Sequence, residues 1–431
     1  MGFEPPVRQT PVRQTPRWPH DDHVLNDHNR MKQEMGACRV NRESVIQAPA
    51  PDGRQLRQAL DHARTFQMLR DKYEKLQDVP SPDLADIPLL SREEFRAAIW
   101  DRAKDGFLQE GNNSLYVGGG RLDNPTATLV PHGLFAADIL AEWRPLAADD
   151  VLINLCMGSK LCPAYDLSNA LATLSGASVI PFQGVREQDF ARWIGLFEKC
   201  RGTAIVADWA MIRSLLQYCA GAGRTLPWVR TVICTDSTPE RGATDLVRRL
   251  LPDAGVWCLY ASIEAWVIGH SGPACDHETF HPLPFQHVEL HEGEIVVSTL
   301  HEQLVAPVLR YRTGVHGEFT RCACGEPRPA LRLRDYAGDI IAFQSFQLSR
   351  SELSALVRGL PEVDDVEVKL LDRGSPTERL RLEIRVGAGT VTDQYLVDWV
   401  RECVIQQHLS IGQAAARAPE SFEVVVVSPG A

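Results

Sequence analysis

No stretch of this sequence approaches the ~18–20 consecutive apolar residues that a membrane-crossing helix needs. The N-terminus also lacks the apolar h-region of a secretory signal. A basic surplus is missing too: 45 Lys and Arg stand against 56 Asp and Glu, a net charge of −11. Phosphate contacts dominate nucleic-acid affinity, so an acidic chain without a basic stripe is a poor partner for DNA or RNA. The local signatures GxSxG, HExxH, the EF-hand loop, the Walker loop and GxGxxG are all absent. The 11 cysteines are odd in number, and Cys156, Cys200, Cys234 and Cys258 sit singly within apolar runs. Reduced, buried thiols have that pattern, so no disulfide framework is expected and the compartment indicated is the cytosol. What is present is an ordinary globular composition. The 431 residues are 44% hydrophobic and 23% charged, enough for two or three domains.

Residues 1–35 stand apart. PVRQT occurs twice in tandem, at 6–10 and 11–15, ahead of a stretch of Pro, His, Asp and Arg. Too few apolar side chains are there to offset ordering entropy, so a disordered leader is expected, with Met31 or Met35 as alternative starts. From about 55 to 79 Leu56, Leu60, Ala63, Phe66, Leu69 and Tyr73 recur at helical spacing. In the next segment Ser91 and Glu94 form the capping box of a new helix. Between 126 and 300, short β-branched runs (151–156, 178–182, 203–209, 231–236, 256–262) alternate with helical patterns. That alternation predicts a largely parallel sheet covered on both faces. Segments 292–300 and 306–314 read as antiparallel strands. The fold class expected is α/β: a large N-terminal domain over 36–335 with mostly parallel sheets and a β-rich subdomain, then a small C-terminal α+β domain over 336–431.

Four groups of residues could carry chemistry. Gly118, Gly119 and Gly120 lie in YVGGGRLDNPT, read as a polar loop whose backbone N–H groups could approach a phosphate; a plain flexible turn remains open. Tyr260, Ser262 and Glu264 follow a strand end, where ligands bind in open α/β sheets and a carboxylate could meet Mg²⁺. Arg312, in VLRYRTG, could clamp a phosphate or form a surface ion pair. Cys275, His281, Cys322 and Cys324 would complete a tetrahedral Cys₃His set for structural zinc, with His277 as the competing fourth ligand.

In this order the pieces resemble the adenylate-forming (acyl-CoA synthetase-like) superfamily, and within it the phenylacetate–CoA ligase branch, over roughly residues 60–428. The resemblance rests on DLADIPLLSREEFR as the lead-in, 116–126 as the phosphate loop, and TVICTDSTPE approaching the nucleotide. Tyr260 to Glu264 resembles the Tyr-Gly-x-Thr-Glu motif, and Tyr311-Arg312-Thr313-Gly314 resembles Tyr-Arg-Thr-Gly-Asp. It implies Tyr260 near adenine, Glu264 on Mg²⁺, and zinc on Cys275, His281, Cys322 and Cys324. The departures fall on the nucleotide contacts. Arg121, Leu122 and Asp123 replace hydroxyls and a glycine, Ile263 replaces the motif threonine, and Val315 replaces the ribose acid. Tyr336-Ala337-Gly338-Asp339 keeps one acid of the hinge, and the chain stops at VVVVSPGA without the Gly-Lys segment.

These substitutions lead to the expectation of an atypical member. It would bind an aromatic or planar carboxylate, or its activated derivative, for an acyl-activation or acyl-transfer step in specialised-metabolite (antibiotic-type) biosynthesis. CoA or a carrier protein would be the acceptor, and a homodimer the possible assembly. Ordinary use of ATP and Mg²⁺ is not expected. Glu264, Arg121 and His316 are the polar groups left for catalysis. Two alternatives stay open: a non-catalytic binding or scaffold protein, and an ATP-dependent ligase in which Arg121 replaces the missing cation. The wall of the acyl pocket is expected from 155–167.

Overall fold

The chain enters through two helices, α1 (Gly53–Arg64) and α2 (Gln67–Tyr73), separated by Thr65 and Phe66. The single helical pattern over 55–79 is thus broken in two. Its apolar side is nonetheless continuous, since Leu56, Leu60, Phe66, Leu69 and Tyr73 all enter the core. The computed structural model describes residues 50–80, 82–157, 163–235, 241–344, 346–373, 375, 377–387 and 394–427. The expected leader lies outside them, as do parts of the 155–167 wall and of TVICTDSTPE.

Helix α3 (Arg92–Lys104) begins at the expected capping box: Ser91 Oγ accepts the Glu94 N–H while Glu94 accepts the Ser91 N–H. Next come β1 (Asn113–Arg121) and β2 (Asn124–Pro131), paired antiparallel from Asn113 opposite Pro131 to Arg121 opposite Asn124. The glycine run is therefore strand, closed by the two-residue turn Leu122–Asp123, and not the polar loop expected. Gly119 and Gly120 stand opposite Thr126 and Pro125, while Gly118 falls at the irregularity between Val117 and Gly119.

Helix α4 (Ala136–Glu142) leads to alternating strands and helices: β3 (Val151–Asn154), α5 (Pro163–Leu174), β4 (Ser178–Pro181), α6 (Phe190–Lys199), β5 (Ala204–Ala207), α7 (Trp209–Gly221), β6 (Thr231–Cys234), α8 (Arg241–Leu250) and β7 (Gly255–Ser262). These strands lie parallel in the order β4-β3-β5-β6-β7. Their apolar sequences need cover on both faces, which the helices provide. The order reverses at β3, making a switch point between β3 and β5; ligands bind outside the carboxyl ends of strands at such points.

The same sheet continues antiparallel through β8 (Trp266–Ser271), β9 (Thr279–Pro282), β10 (Gln286–His291), β11 (Glu294–Thr299), β12 (Tyr311–Thr320) and β13 (Ala330–Tyr336), giving eleven strands among the described residues. The small domain holds the hairpin β14 (Ile340–Phe343) and β15 (Phe346–Ser349), helix α9 (Arg350–Arg358), and strands β16 (Val363–Leu371), β17 (Arg379–Val386) and β18 (Phe422–Val426). Helices α10 (Gln394–Gln407) and α11 (Leu409–Arg417) complete it. It has its own core, built on Phe343, Leu353, Leu382, Val400 and Ile411. Even so, the described residues form one compact unit, because the small domain is fastened to the large one. No helix among the described residues is long and apolar enough to cross a membrane.

Candidate active site and metal centre

Strands β7 and β8 are joined by a tight turn in which Ser262 Oγ accepts the Ala265 N–H at 3.0 Å. Trp266 closes this turn in the left-handed region (φ 60°) and is pinned by its indole N–H to the Leu134 carbonyl at 3.0 Å. A three-residue hairpin loop followed by a left-handed residue turns the chain with the twist of the strands. The turn holds Glu264 at the carboxyl end of β7. Thr128 of β2 donates to the Glu264 carbonyl at 3.3 Å, and the Gln286 amide donates to the carbonyls of Ala265 and Val267 at 2.9 Å each. The position is rigidly supported.

Glu264 does not face open solvent. Its side chain is only 4% exposed, and Arg92 Nε of α3 stands 3.1 Å from Oε1. Burial works against the Arg92 charge, but Glu264 and Tyr311 outweigh it and raise the guanidinium above its usual range. Tyr260 is fully buried with its ring 5.8 Å from Phe280, so it packs in the core. Burial pushes its phenol up. Val315, at the ribose-acid position, also belongs to the main core.

The other charged candidates each have a local partner. Arg121 forks onto Asp123, 2.5 Å from Nη2 and 2.9 Å from Nε, and that hydrogen bond is the chief reason its basicity rises. Arg312 binds Glu294 through Nε at 2.8 Å, while the Gly314 N–H reaches the same carboxylate at 2.9 Å. Glu294 thereby ties the Tyr-Arg-Thr-Gly segment to β11. His316 lies opposite Glu294 in the β11–β12 register. Among the described residues, no ion pair links Glu264, Arg121 and Arg312 to one another, and sequence proximity to a motif did not bring them into one cluster.

The glycines meet protein groups. A Cβ on Gly118 would lie 1.8 Å from Ile263 Cγ1, and one on Gly119 would lie 2.6 Å from Ser410 Oγ. Beyond them, Glu352 Oε1 accepts the Arg121 N–H at 3.1 Å. Arg92, Arg96, Glu352 and His408 escape sequence reasoning. Arg92, Glu352 and His408 sit at helix starts and Arg96 lies inside α3, and nothing in the local pattern marks them.

The metal candidates do converge. The donor atoms of Cys275, His281, Cys322 and Cys324 all lie within 4.8 Å of one another. His281 Nε2 is 3.8 Å from Cys275 Sγ and 3.3 Å from Cys324 Sγ. Ligands at ~2.3 Å (S) and ~2.0 Å (N) around a tetrahedral ion are ~3.5–3.8 Å apart, so the set fits. Two turns shape it: the Cys275 N–H meets the Gly272 carbonyl at 2.9 Å, and the Gly325 N–H meets the Cys322 carbonyl at 3.3 Å. His277 is outside the group and hydrogen-bonds Cys258. Burial pushes the Cys275 thiol up to about 12, so its thiolate needs a cation beside it.

No protein-family model matches the chain, and no curated protein matches it by sequence. Solved structures do. The chain is similar to 2-hydroxyisobutyryl-CoA ligase in complex with 2-HIB-AMP and CoA in the thioesterification state, at 14% identity and TM-score 0.68, covering 88% of this chain and 85% of that one. The same ligase in the postadenylation state gives TM-score 0.54 at 15% identity over the same shares. The amide bond synthetase McbA from Marinactinospora thermotolerans gives TM-score 0.54 at 17% identity, covering 74% of this chain and 66% of that one. The fold is that of adenylate-forming ligases, with a smaller C-terminal domain.

Proposed function

We propose that this protein is a diverged ligase-type enzyme of the adenylate-forming fold that works on the acyl-transfer side of that chemistry. It would take a planar or aromatic acyl group as a thioester, in a fold like that of the phenylacetate–CoA ligase branch, and pass it to the thiol of CoA or a carrier protein, the donor's own thiol leaving as the new acyl–sulfur bond forms. The observation that carries the reading is the placement of Ile263, Ser410 and Glu352 against the glycine hairpin, which sets protein groups beside Gly118–Gly120 where a nucleotide's phosphates would otherwise approach. The Arg92–Glu264 pair supports it, because the carboxylate that would hold Mg²⁺ is neutralised by a protein cation. So does the better superposition on the thioesterification state than on the postadenylation state of one ligase, 0.68 against 0.54.

Positioning then does most of the work. Holding two reactants together removes much of an entropic barrier. Zinc on Cys275, His281, Cys322 and Cys324 would be structural, with all four positions taken by protein. A cytoplasmic, biosynthetic setting fits the reduced cysteines and the acidic surface.

The test combines isothermal titration with a pyrophosphate-exchange assay. The expected result is ATP affinity weaker than millimolar, no carboxylate-dependent exchange with aryl acids, and saturable binding of aryl acyl-CoA thioesters. Micromolar ATP binding, or exchange with any aryl acid, would overturn the reading and return Arg121 to the role of phosphate cation. One observation favours a second reading, a binding protein without chemistry. The apolar slot beside Glu264, lined in part by Thr128, Phe135, Trp266 and Thr299, has a volume of only 10 Å³, about one water. Thioester binding without transfer to any thiol would identify it.

A further inference from the structure

The small domain carries a carboxylate that does at the glycine hairpin what a phosphate oxygen would do. Glu352 stands in the first turn of α9, and its N–H donates to the capping Ser349 Oγ at 3.0 Å, which fixes where the side chain starts. Its Oε1 accepts the Arg121 N–H at the tip of β1 at 3.1 Å and lies 3.3 Å from where a Cβ on Gly120 would be. Its Oε2 faces Arg96 Nη2 of α3 at 3.4 Å, and the same nitrogen reaches Thr126 Oγ1 at 3.4 Å. A backbone N–H from a glycine-rich turn and a guanidinium together form an anion site. Here the anion belongs to the protein.

Further contacts fasten the same seam. The Leu122 N–H donates to the Gln407 carbonyl at 2.8 Å, and Arg121 pairs with His408 as an isolated antiparallel bridge. His408 and Ser410 are each 1% exposed, so the α10–α11 side of the seam is closed to water, while Leu122 at the hairpin tip stays exposed. At two other places the domains also touch through polar side chains: Arg92 donates to Gln347 at 3.0 Å, and Arg417 pairs with Asp208, just beyond β5, at 2.9 Å.

We propose that Glu352 is the resident occupant of the hairpin's anion position, a latch that holds the small domain shut and keeps phosphate groups out of that one position. An incoming phosphate meets a carboxylate already in place and is repelled by it. A tethered group competes at an effective concentration of millimolar or more, so it outcompetes free anions of ordinary affinity. The proposal rests on the acyl-transfer reading only for the ligand it displaces; the latch itself is independent of any substrate.

The experiment compares wild type, Glu352→Ala and the near-isosteric Glu352→Gln, which leaves the Ser349 cap and the helix intact. Amide hydrogen exchange at Arg121 and Leu122 reports the latch, and calorimetric titration with inorganic pyrophosphate reports the anion position. Glu352→Ala is expected to speed exchange at both amides tenfold or more and to bind pyrophosphate at least tenfold tighter than wild type. Glu352→Gln should fall between them. Arg96→Ala should speed exchange without gaining pyrophosphate affinity, because it removes the cation as well. Unchanged exchange at the two amides in Glu352→Ala, or equal pyrophosphate affinity in wild type and Glu352→Ala, overturns the proposal. Failure of the acyl-transfer reading would appear instead in the thioester titrations and would leave the exchange result standing.

Discussion

Glu264 and Arg92 meet at 3.1 Å, with 4% of one side chain and 16% of the other exposed, so each is the other's main source of solvation. Removing one partner of such a pair strands a buried charge and costs ~3–5 kcal/mol, whereas removing both costs much less. Arg92→Ala is therefore expected to lose ~3–5 kcal/mol in urea denaturation, with Arg92→Ala/Glu264→Gln recovering a large part. A double variant as unstable as the single one would show that the pair does not hold the turn.

The Cys275, His281, Cys322 and Cys324 group should retain one zinc per chain through a chelator wash, measured by elemental analysis. Metal binding is folding free energy in a site of this kind, so Cys322→Ser should lower the melting temperature. Far less than one equivalent in the washed wild type would argue against a structural site.

Gly118 tests the filling of the hairpin. A Cβ there would overlap Ile263 Cγ1 at 1.8 Å, and overpacking typically costs ~1–3 kcal/mol. Gly118→Ala should be destabilised by about that amount and substantially rescued by Ile263→Ala. The comparison of the two melting curves decides it: no rescue means that Ile263 is not what the glycine accommodates.

Acid should loosen the seam between the domains. Burial pulls His408 down from 6.5 to about 4, with Glu352 opposing the shift and Arg121 and Arg96 adding to it. A histidine held neutral in the fold but free to protonate when unfolded contributes stability that is complete above the unfolded value. It is lost as pH falls from about 6.5 towards 4, because the unfolded chain binds more protons there. At ~1.4 kcal/mol per unit the loss is of order 3 kcal/mol. His408→Asn keeps a capping side chain at the start of α11 and should flatten stability against pH across that interval. A wild-type profile already flat between pH 4 and 6.5 would refute this.

Much of the secondary structure was legible. The runs 151–156, 178–182, 203–209, 231–236 and 256–262 became β3–β7 within a residue or two, because β-branched apolar runs bounded by turns leave few other choices. The Ser91–Glu94 box formed because both of its bonds are local. The glycine run misled. Without side chains it carries no periodicity, and only pairing with 124–131 made it a strand.

The sequence by itself determined most of the order of elements, the capped start at Ser91, the buried faces and the three cysteines of the candidate metal group. Cysteine and histidine at knuckle spacing are chemically distinctive wherever they fall. Only the tertiary structure decided that His281 and not His277 completes that group, that Arg92 neutralises Glu264, and that Glu352 occupies the hairpin tip. The reason is physical. Periodicity and capping act over a few residues and are written in neighbouring positions. A buried charge chooses its partner by what the fold brings within ~4 Å, and arginine and glutamate in helix first turns look alike until two domains close on each other.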